Sequence, residues 1–466
     1  MLNQFIIILP EIMLAVLAMC MQIVGVFCKK STRKIALITT VFAFGIVCYL
    51  LYFAPQYQLG FSASFAVSRM ISLYKALVLV LTLMSLLVYY DLMKITKNSL
   101  EMEFVTLILL STLGVFISIS ARDFILLFCG LELQALSGYA LAAFNAREVK
   151  SSEAGLKYFV LGALMSGLML LGISFLYGFS GSIKFTEIKS ALSGEFNIGL
   201  VIGTVLVLAA ILFKLSAAPL HIWTPDVYEG APISSVTYFA VAQKIGMLVV
   251  LVNIADDVID QYTQISMELI KIVAILSMIA GALGAIIQTS LKRLMAYSTI
   301  LNIGYVLVGI CLHSQKGNDA AFIYMLIYVI GVMGFFACLI ALFGSKSDEA
   351  TFEDLQGIAL ERKTIAAAIS IIMFSMIGIP PLAGFFGKYY VFYSAVLQGE
   401  IVLAVLGVLT SVIAAFYYLK VVKFMYFMEA GGDIRIIPTQ GGLRAVTIIT
   451  VAFILFFFVF GPKFIL

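Results

Sequence analysis

Hydrophobic positions in this chain do not alternate with polar ones. They form long, nearly unbroken runs such as VLVLAAILF, separated by short clusters rich in Lys, Arg, Asp and Glu. A helix crossing the ~30 Å hydrocarbon core needs ~20 apolar residues, and about 14 runs approach that length, the first over 4–27 and the last over 443–461. A membrane barrel would instead show short segments of strict alternation. The pattern predicts an all-α polytopic membrane protein with about 14 transmembrane helices. The first run lacks a small-residue cleavage site and is too long for a signal peptide, so it is read as a retained helix.

Two runs are interrupted. In the seventh, over 198–222, ILFKLSAAPLHIW places Pro219 about one turn after Lys214, where it removes an amide donor and breaks the helix. In the twelfth, over 364–398, IGIPPLAGFFGKYY places Pro380, Pro381 and Gly384 just before Lys388. Broken helices at membrane depth persist only beside protein or water-filled cavities, and a matched pair of them marks an inverted repeat and its ion site. The breaks lie five segments apart, and an odd number of crossings inverts the topology. The expected organisation is a three-helix N-terminal segment (1–102), a first repeat of helices 4–8 (103–252), an inverted second repeat of helices 9–13 (253–428) and a last helix (429–466). Simple proline kinks are the alternative reading.

Composition narrows the function. The 466 residues are 63% hydrophobic and 12% charged, with mean hydropathy +1.11. A soluble domain carries about 25% charge, so a soluble enzyme, a disordered chain and a nucleic-acid binder are excluded. A net charge of +4 implies no polyanionic partner. The 6 cysteines are scattered without a CxxC, and the 2 histidines are His221 and His313, the latter read as a surface residue. Neither zinc, haem nor an iron–sulfur cluster is expected, and no glycine fingerprint marks a nucleotide site.

Most cations fall in loops, where they set orientation. With the N-terminus outside, the inner loops collect 17 cations, among them Lys29, Lys30, Arg33, Lys34, Lys292, Arg293 and Arg435, and the outer side carries 8, among them Lys75, Arg122, Lys271 and Lys463. The acidic stretch Asp256, Asp257 and Asp260 then lies outside. Four lysines resist this sorting: Lys157, Lys214, Lys244 and Lys388, joined by Glu132 in FILLFCGLELQALSGYAL. An ionisable group inside a membrane is a functional candidate by default. The competing reading is a snorkelling side chain or a structural ion pair, and Lys75, near a helix end, fits that reading better. Lys157 lies four residues from Glu153, so pairing or gating is open to it.

These residues sit in motifs that resemble a known family. FKLSAAPLHIWTPDVYEGAP at 213–232, LKRLMAYSTILNIGYV at 291–306 and GIPPLAGFFGKYYVF at 378–392 are similar to signatures of the antiporter-like membrane subunits of respiratory complex I, which are themselves similar to subunits of multi-subunit sodium/proton antiporters. The match runs from about Glu103 to Phe427. GLELQALSGYAL, EAGLKYFVLG and Lys388, a lysine rather than a glutamate, set the chain with one bacterial paralogue group. The resemblance implies two inverted half-channels for protons, with Glu132, Lys157, Lys214, Lys244 and Lys388 at the positions of the ionisable residues of helices five, six, seven, eight and twelve. It places His221 as a link in the relay, against the alternative of a buried histidine satisfied by backbone. It implies no cofactor in this chain, with NADH, FMN, iron–sulfur clusters and quinone held by partner subunits. The expected setting is a bacterial inner membrane, beside other membrane-arm subunits.

The residue types suit the task. A lysine in water keeps its proton at neutral pH, desolvation disfavours the charged form, and a nearby carboxylate favours it. A Glu–Lys pair that opens and closes therefore switches proton release, which arginine cannot do. A sodium/proton antiporter subunit and a non-conducting scaffold of the membrane arm are the alternatives. Buried charge beside two broken helices weighs against the scaffold.

Overall fold

The computed structural model describes residues 2–27, 32–53, 55–98, 100–193, 197–258, 263–429 and 440–460. The expected loop charges Lys29, Lys30, Asp260, Arg435 and Lys463 lie outside the described residues. The first half of the chain forms α1 (Leu2–Ile7), α2 (Leu9–Phe27), α3 (Thr32–Tyr52), the strands β1 (Tyr57–Gly60) and β2 (Phe65–Ser68), α4 (Arg69–Thr96), α5 (Met102–Ser120), α6 (Phe124–Ala142), α7 (Val149–Ser180), α8 (Phe185–Leu192) and α9 (Ile198–Leu215). There follow α10 (Trp223–Gly230), α11 (Ile233–Tyr238), α12 (Lys244–Asp257), α13 (Thr263–Ile286), α14 (Leu291–Ile310), α15 (Gln315–Phe343), α16 (Ile358–Glu361), α17 (Lys363–Ile377), α18 (Ala383–Leu397), α19 (Ile401–Phe427) and α20 (Gly441–Phe460).

Among the described residues, 11 helices are long and apolar enough to cross a membrane, fewer than the runs of the sequence suggest. The twelfth run accounts for part of the difference. Its break divides it into α17 and α18, of 15 residues each, and 15 residues rise only about 22 Å. Among the described residues the one sheet is the hairpin of β1 and β2, antiparallel with Tyr57 opposite Ser68 and Gly60 opposite Phe65. Pairing satisfies the backbone groups of this linker, which helix propensity does not reach.

The helices form two compact units. The first comprises 1–86, 97–215 and 241–266, and the second 87–96, 216–240 and 267–466. In the first, α5 packs on α2, α6 and α12, and α7 packs on α6 and α9. In the second, α15 is the hub, touching α14, α17, α18 and α20, and α19 packs on α17 and α18. The residues of α14 and α15 are buried nearly throughout, whereas α7, α19 and α20 turn large apolar side chains such as Leu164, Leu171, Phe416 and Phe456 outward. An outward apolar surface is what lipid, rather than water, demands as solvent.

Two cations are deeper than loop positions allow. Lys75 is 1% exposed and forms an ion pair with Glu11, its ammonium 5.0 Å from the Phe65 ring. Of the two readings open to Lys75 the structural pair holds, because Glu11 of α2 reaches across to α4. Lys292, taken as an inner-loop charge, is also 1% exposed, donating to the Ala231 carbonyl at 2.8 Å and to Asp348 at 3.0 Å.

Candidate functional site

The seventh run breaks where expected. α9 ends at Leu215, and Ser216 turns the chain with φ 71°, a left-handed conformation. The next helical residue is Trp223. A helix end leaves its last carbonyls without intrahelical partners and carries the negative end of the helix dipole, so it attracts cations. Lys244 answers this: its Nζ donates to the Lys214 carbonyl in the last turn of α9 at 3.1 Å. Lys244 opens α12 directly after a widened π-helical turn over Phe239–Gln243, and such turns recur at functional positions.

The Lys214 side chain points to α6, where its Nζ donates to the Leu131 carbonyl at 3.2 Å. The next residue on α6 is Glu132. The carboxylate is held elsewhere: Ser166 of α7 donates its hydroxyl to Glu132 Oε1. Glu132, Lys214 and Lys244 thus form one cluster in the first unit. Around it lies a polar layer in which Gln243 Nε2 donates to Ser111 Oγ at 3.0 Å, and Ser111 Oγ donates to the Gln134 carbonyl at 3.3 Å.

Lys157 sits elsewhere on α7. It pairs with Glu153 one turn earlier at 2.8 Å, with the two side chains 42% and 56% exposed. That is the pairing its spacing allowed. His221 lies between α9 and α10, in the second unit; it is half-buried, and its Nδ1 is buried with no hydrogen-bond partner among the described residues. Pro219 is exposed two residues earlier.

The second break repeats the logic of the first. α17 ends at Ile377, Gly378 turns the chain with φ 96°, and α18 starts at Ala383 after Pro380 and Pro381. Lys388 Nζ donates to the Ile377 carbonyl at 3.0 Å, so it too caps the end of the preceding half-helix. It also donates to Ser411 Oγ at 2.7 Å and lies 5.5 Å from the centre of the Tyr305 ring. Gly384 is obligatory here, because a Cβ on it would lie 1.8 Å from the Ser375 carbonyl oxygen.

Beside Lys388 runs a set of hydroxyl groups that charge-based reading passed over. On α14, Ser298, Asn302 and Tyr305 share a face. Ser298 meets Tyr418 at 2.6 Å and Tyr328 at 3.2 Å; Asn302 donates to Tyr418 at 3.3 Å and accepts from Tyr324; Tyr305 meets Thr410 at 3.2 Å. A cavity of about 10 Å³ lined by Asn302, Tyr324, Ser375 and Lys388 has room for about one water. The only trace in sequence is the density of polar side chains in AYSTILNIGY. Among the described residues, no group of three or more His, Cys, Asp or Glu is placed to hold a metal ion.

Comparison with known proteins bears on the whole chain. The family described as "NADH:quinone oxidoreductase/Mrp antiporter, TM" matches residues 121–414. The NADH-quinone oxidoreductase subunit N of Rickettsia bellii is 53% identical over 453 residues, covering 96% of this chain and 98% of that protein. Subunit N of Parvibaculum lavamentivorans is 41% identical over 466 residues, covering 99% and 96%. Among solved structures, a chain of respiratory complex I from Thermus thermophilus superposes with TM-score 0.83 at 27% identity over 97% of both chains. A chain of the Mrp complex from Dietzia sp. gives 0.84 at 19% identity over 98% of this chain and 95% of that one, a likeness of fold alone.

Proposed function

The chain belongs to the family of membrane subunits shared by NADH:quinone oxidoreductases and Mrp antiporters, and on that premise we infer that it is a proton-translocating membrane-arm subunit of an NADH-quinone oxidoreductase. The observation that carries this reading is the cluster of Glu132, Lys214 and Lys244 at the end of a broken helix, with each lysine docked on a backbone carbonyl. A scaffold has no use for such groups, each of which costs several kcal/mol to bury. Three kinds of site follow. Glu132 is the modulator, Lys214 and Lys244 hold and pass the proton in the first half, and Lys388 serves the second. His221, with an unpartnered ring nitrogen, is the proton-accepting link.

Carbonyl docking supports the assignment because it is reversible. A hydrogen bond to a carbonyl is a weaker hold than a carboxylate pair, so the proton can leave without a full ion pair being broken. The breaks at Pro219 and at Pro380, Pro381 and Gly384 supply the Lys214 and Ile377 carbonyls, and on this reading residues 103–252 and 253–428 form two inverted repeats. Moving one charge across ~100 mV requires ~2.3 kcal/mol, and the chain has no energy source of its own. That energy comes from redox chemistry in partner subunits carrying flavin, iron–sulfur clusters and quinone. The protein then resides in a bacterial inner membrane with its N-terminus on the periplasmic side.

The test is Lys214→Ala in the assembled complex, with protons moved per NADH oxidised measured in sealed vesicles. Pumping is expected to fall at least about tenfold, equivalent to ~1.4 kcal/mol. Normal pumping by a fully assembled variant would overturn the reading. Purification with flavin and iron–sulfur subunits separates it from a stand-alone sodium/proton antiporter.

A further inference from the structure

Serines inside these helices have a default partner. Ser118, Ser137, Ser180, Ser277 and Ser370 each donate to the carbonyl four residues back in their own helix, the ordinary resort of a hydroxyl in an apolar setting. Ser166 departs from this pattern. It donates across to Glu132 on α6, from a helix that is otherwise largely outward-facing and apolar. The departure is built into the packing. One turn before Ser166, Gly162 lets α6 come close: a Cβ there would lie 1.9 Å from the Tyr139 hydroxyl. That approach brings Ser166 within reach of the carboxylate.

The alternative partner of Glu132 is beside it. Lys214 Nζ occupies the carbonyl of Leu131, the residue immediately before Glu132. Because the ammonium docks one residue from Glu132, a rotation of the Glu132 side chain is the motion that would bring the two together. We propose that Ser166 is a positioning residue for proton transfer: it competes with Lys214 for the Glu132 carboxylate and so sets how often Lys214 is unpaired and able to give up its proton. The proposal rests on the relay reading and adds to it the group that draws the carboxylate away. A hydroxyl bonded to a carboxylate is a charge-assisted contact, strong enough to compete with an ion pair yet not to abolish it. Without the hydroxyl, Glu132 falls to Lys214 and the pair stays closed.

The experiment uses the assembled complex in sealed vesicles and compares Ser166→Ala, Ser166→Thr, Glu132→Gln and the double variant Ser166→Ala/Glu132→Gln. Protons moved per NADH oxidised are expected to fall about threefold in Ser166→Ala, less than the loss of a whole charge-assisted bond because the carboxylate exchanges the hydroxyl for the Lys214 ammonium. Ser166→Thr, which keeps the hydroxyl, is expected to restore pumping. The alanine change is expected to add nothing in the Glu132→Gln background, since there is no carboxylate left to hold. An equal loss in both backgrounds would mean that Ser166 serves packing alone and would overturn the proposal. So would normal pumping in Ser166→Ala while Glu132→Gln and Lys214→Ala are impaired. If Glu132→Gln and Lys214→Ala also pump normally, the relay reading itself falls.

Discussion

Two lysines at two helix breaks solve the same problem with different surroundings. Lys214 docks on the carbonyl of Leu131, the residue before Glu132, whose carboxylate accepts from Ser166. Lys388 has no carboxylate within ion-pair distance among the described residues; its ammonium is held by the Ser411 hydroxyl, the Ile377 carbonyl and the face of Tyr305. Both breaks offer a half-helix C-terminus as a cation dock, used by Lys244 at the first and by Lys388 at the second. The common element is the dock. On the proposed reading what differs is the control: the Glu132 carboxylate in the first unit, and in the second a set of neutral hydroxyl dipoles. A Coulomb switch acts strongly at low dielectric and needs one rotamer change, whereas a hydroxyl network changes an ammonium's energy in smaller steps.

The largest expected effect tests what the two sites share. Arginine is as good a donor as lysine to carbonyls but does not lose its proton in proteins. Lys214→Arg and Lys388→Arg should each cut protons moved per NADH at least about tenfold, ~1.4 kcal/mol, in complexes that still assemble. If either arginine variant pumps normally, that lysine contributes only fixed charge and the parallel between the breaks is lost.

The next two predictions separate the controls. Ser411→Ala removes the hydroxyl at 2.7 Å from Lys388 and leaves the Ile377 carbonyl and the face of Tyr305. A hydrogen bond to a charged group contributes about 1.5–3 kcal/mol, so pumping should fall about tenfold, with Ser411→Thr close to wild type in the same vesicle assay. Glu132→Gln keeps shape and removes charge, and its effect should be milder, about two- to fivefold, because it removes a modulator and leaves the carrier. A larger loss from Glu132→Gln than from Lys214→Arg would make the carboxylate the proton carrier and reverse the roles.

How much of this was legible without coordinates follows from the same contrast. The breaks and lysines were visible because proline, glycine and charge are costly in an apolar run, so each stands out in one dimension. The same logic pairs Glu132 with Lys214; in the structure Lys214 docks on the carbonyl of Leu131, next to Glu132, and the carboxylate accepts from Ser166 instead. Ser166, Ser411 and the hydroxyls of Ser298, Tyr324 and Tyr418 were not legible: hydroxyl side chains are common in apolar helices, and whether one bonds its own backbone or crosses to a neighbour is decided by helix packing. Lys75 and Lys292 were misjudged in depth for the same reason, since the partner that lets Lys75 sink, Glu11, is 64 residues away. The hairpin of β1 and β2 was missed because four-residue strands leave too short a pattern.

The smallest expected effect concerns Lys157, which the sequence groups with the other three lysines and which the structure pairs with Glu153. Its pair with Glu153 is separated by four residues on one helix, and each side chain keeps 42% or more of its exposure. Such pairs contribute about 0.3–0.5 kcal/mol, because solvent and headgroups screen them and ordering two long side chains offsets the attraction. A proton held there would exchange with its surroundings rather than wait for Lys214. Lys157→Ala should therefore change protons moved per NADH by less than about twofold, the scale of that pair energy. The same vesicles carrying Lys157→Ala/Glu153→Ala should behave like either single variant. A loss from Lys157→Ala as large as that from Lys214→Ala would place Lys157 on the path and move the entry of the first half-channel to the start of α7, where the exposed pair would then act as its gate.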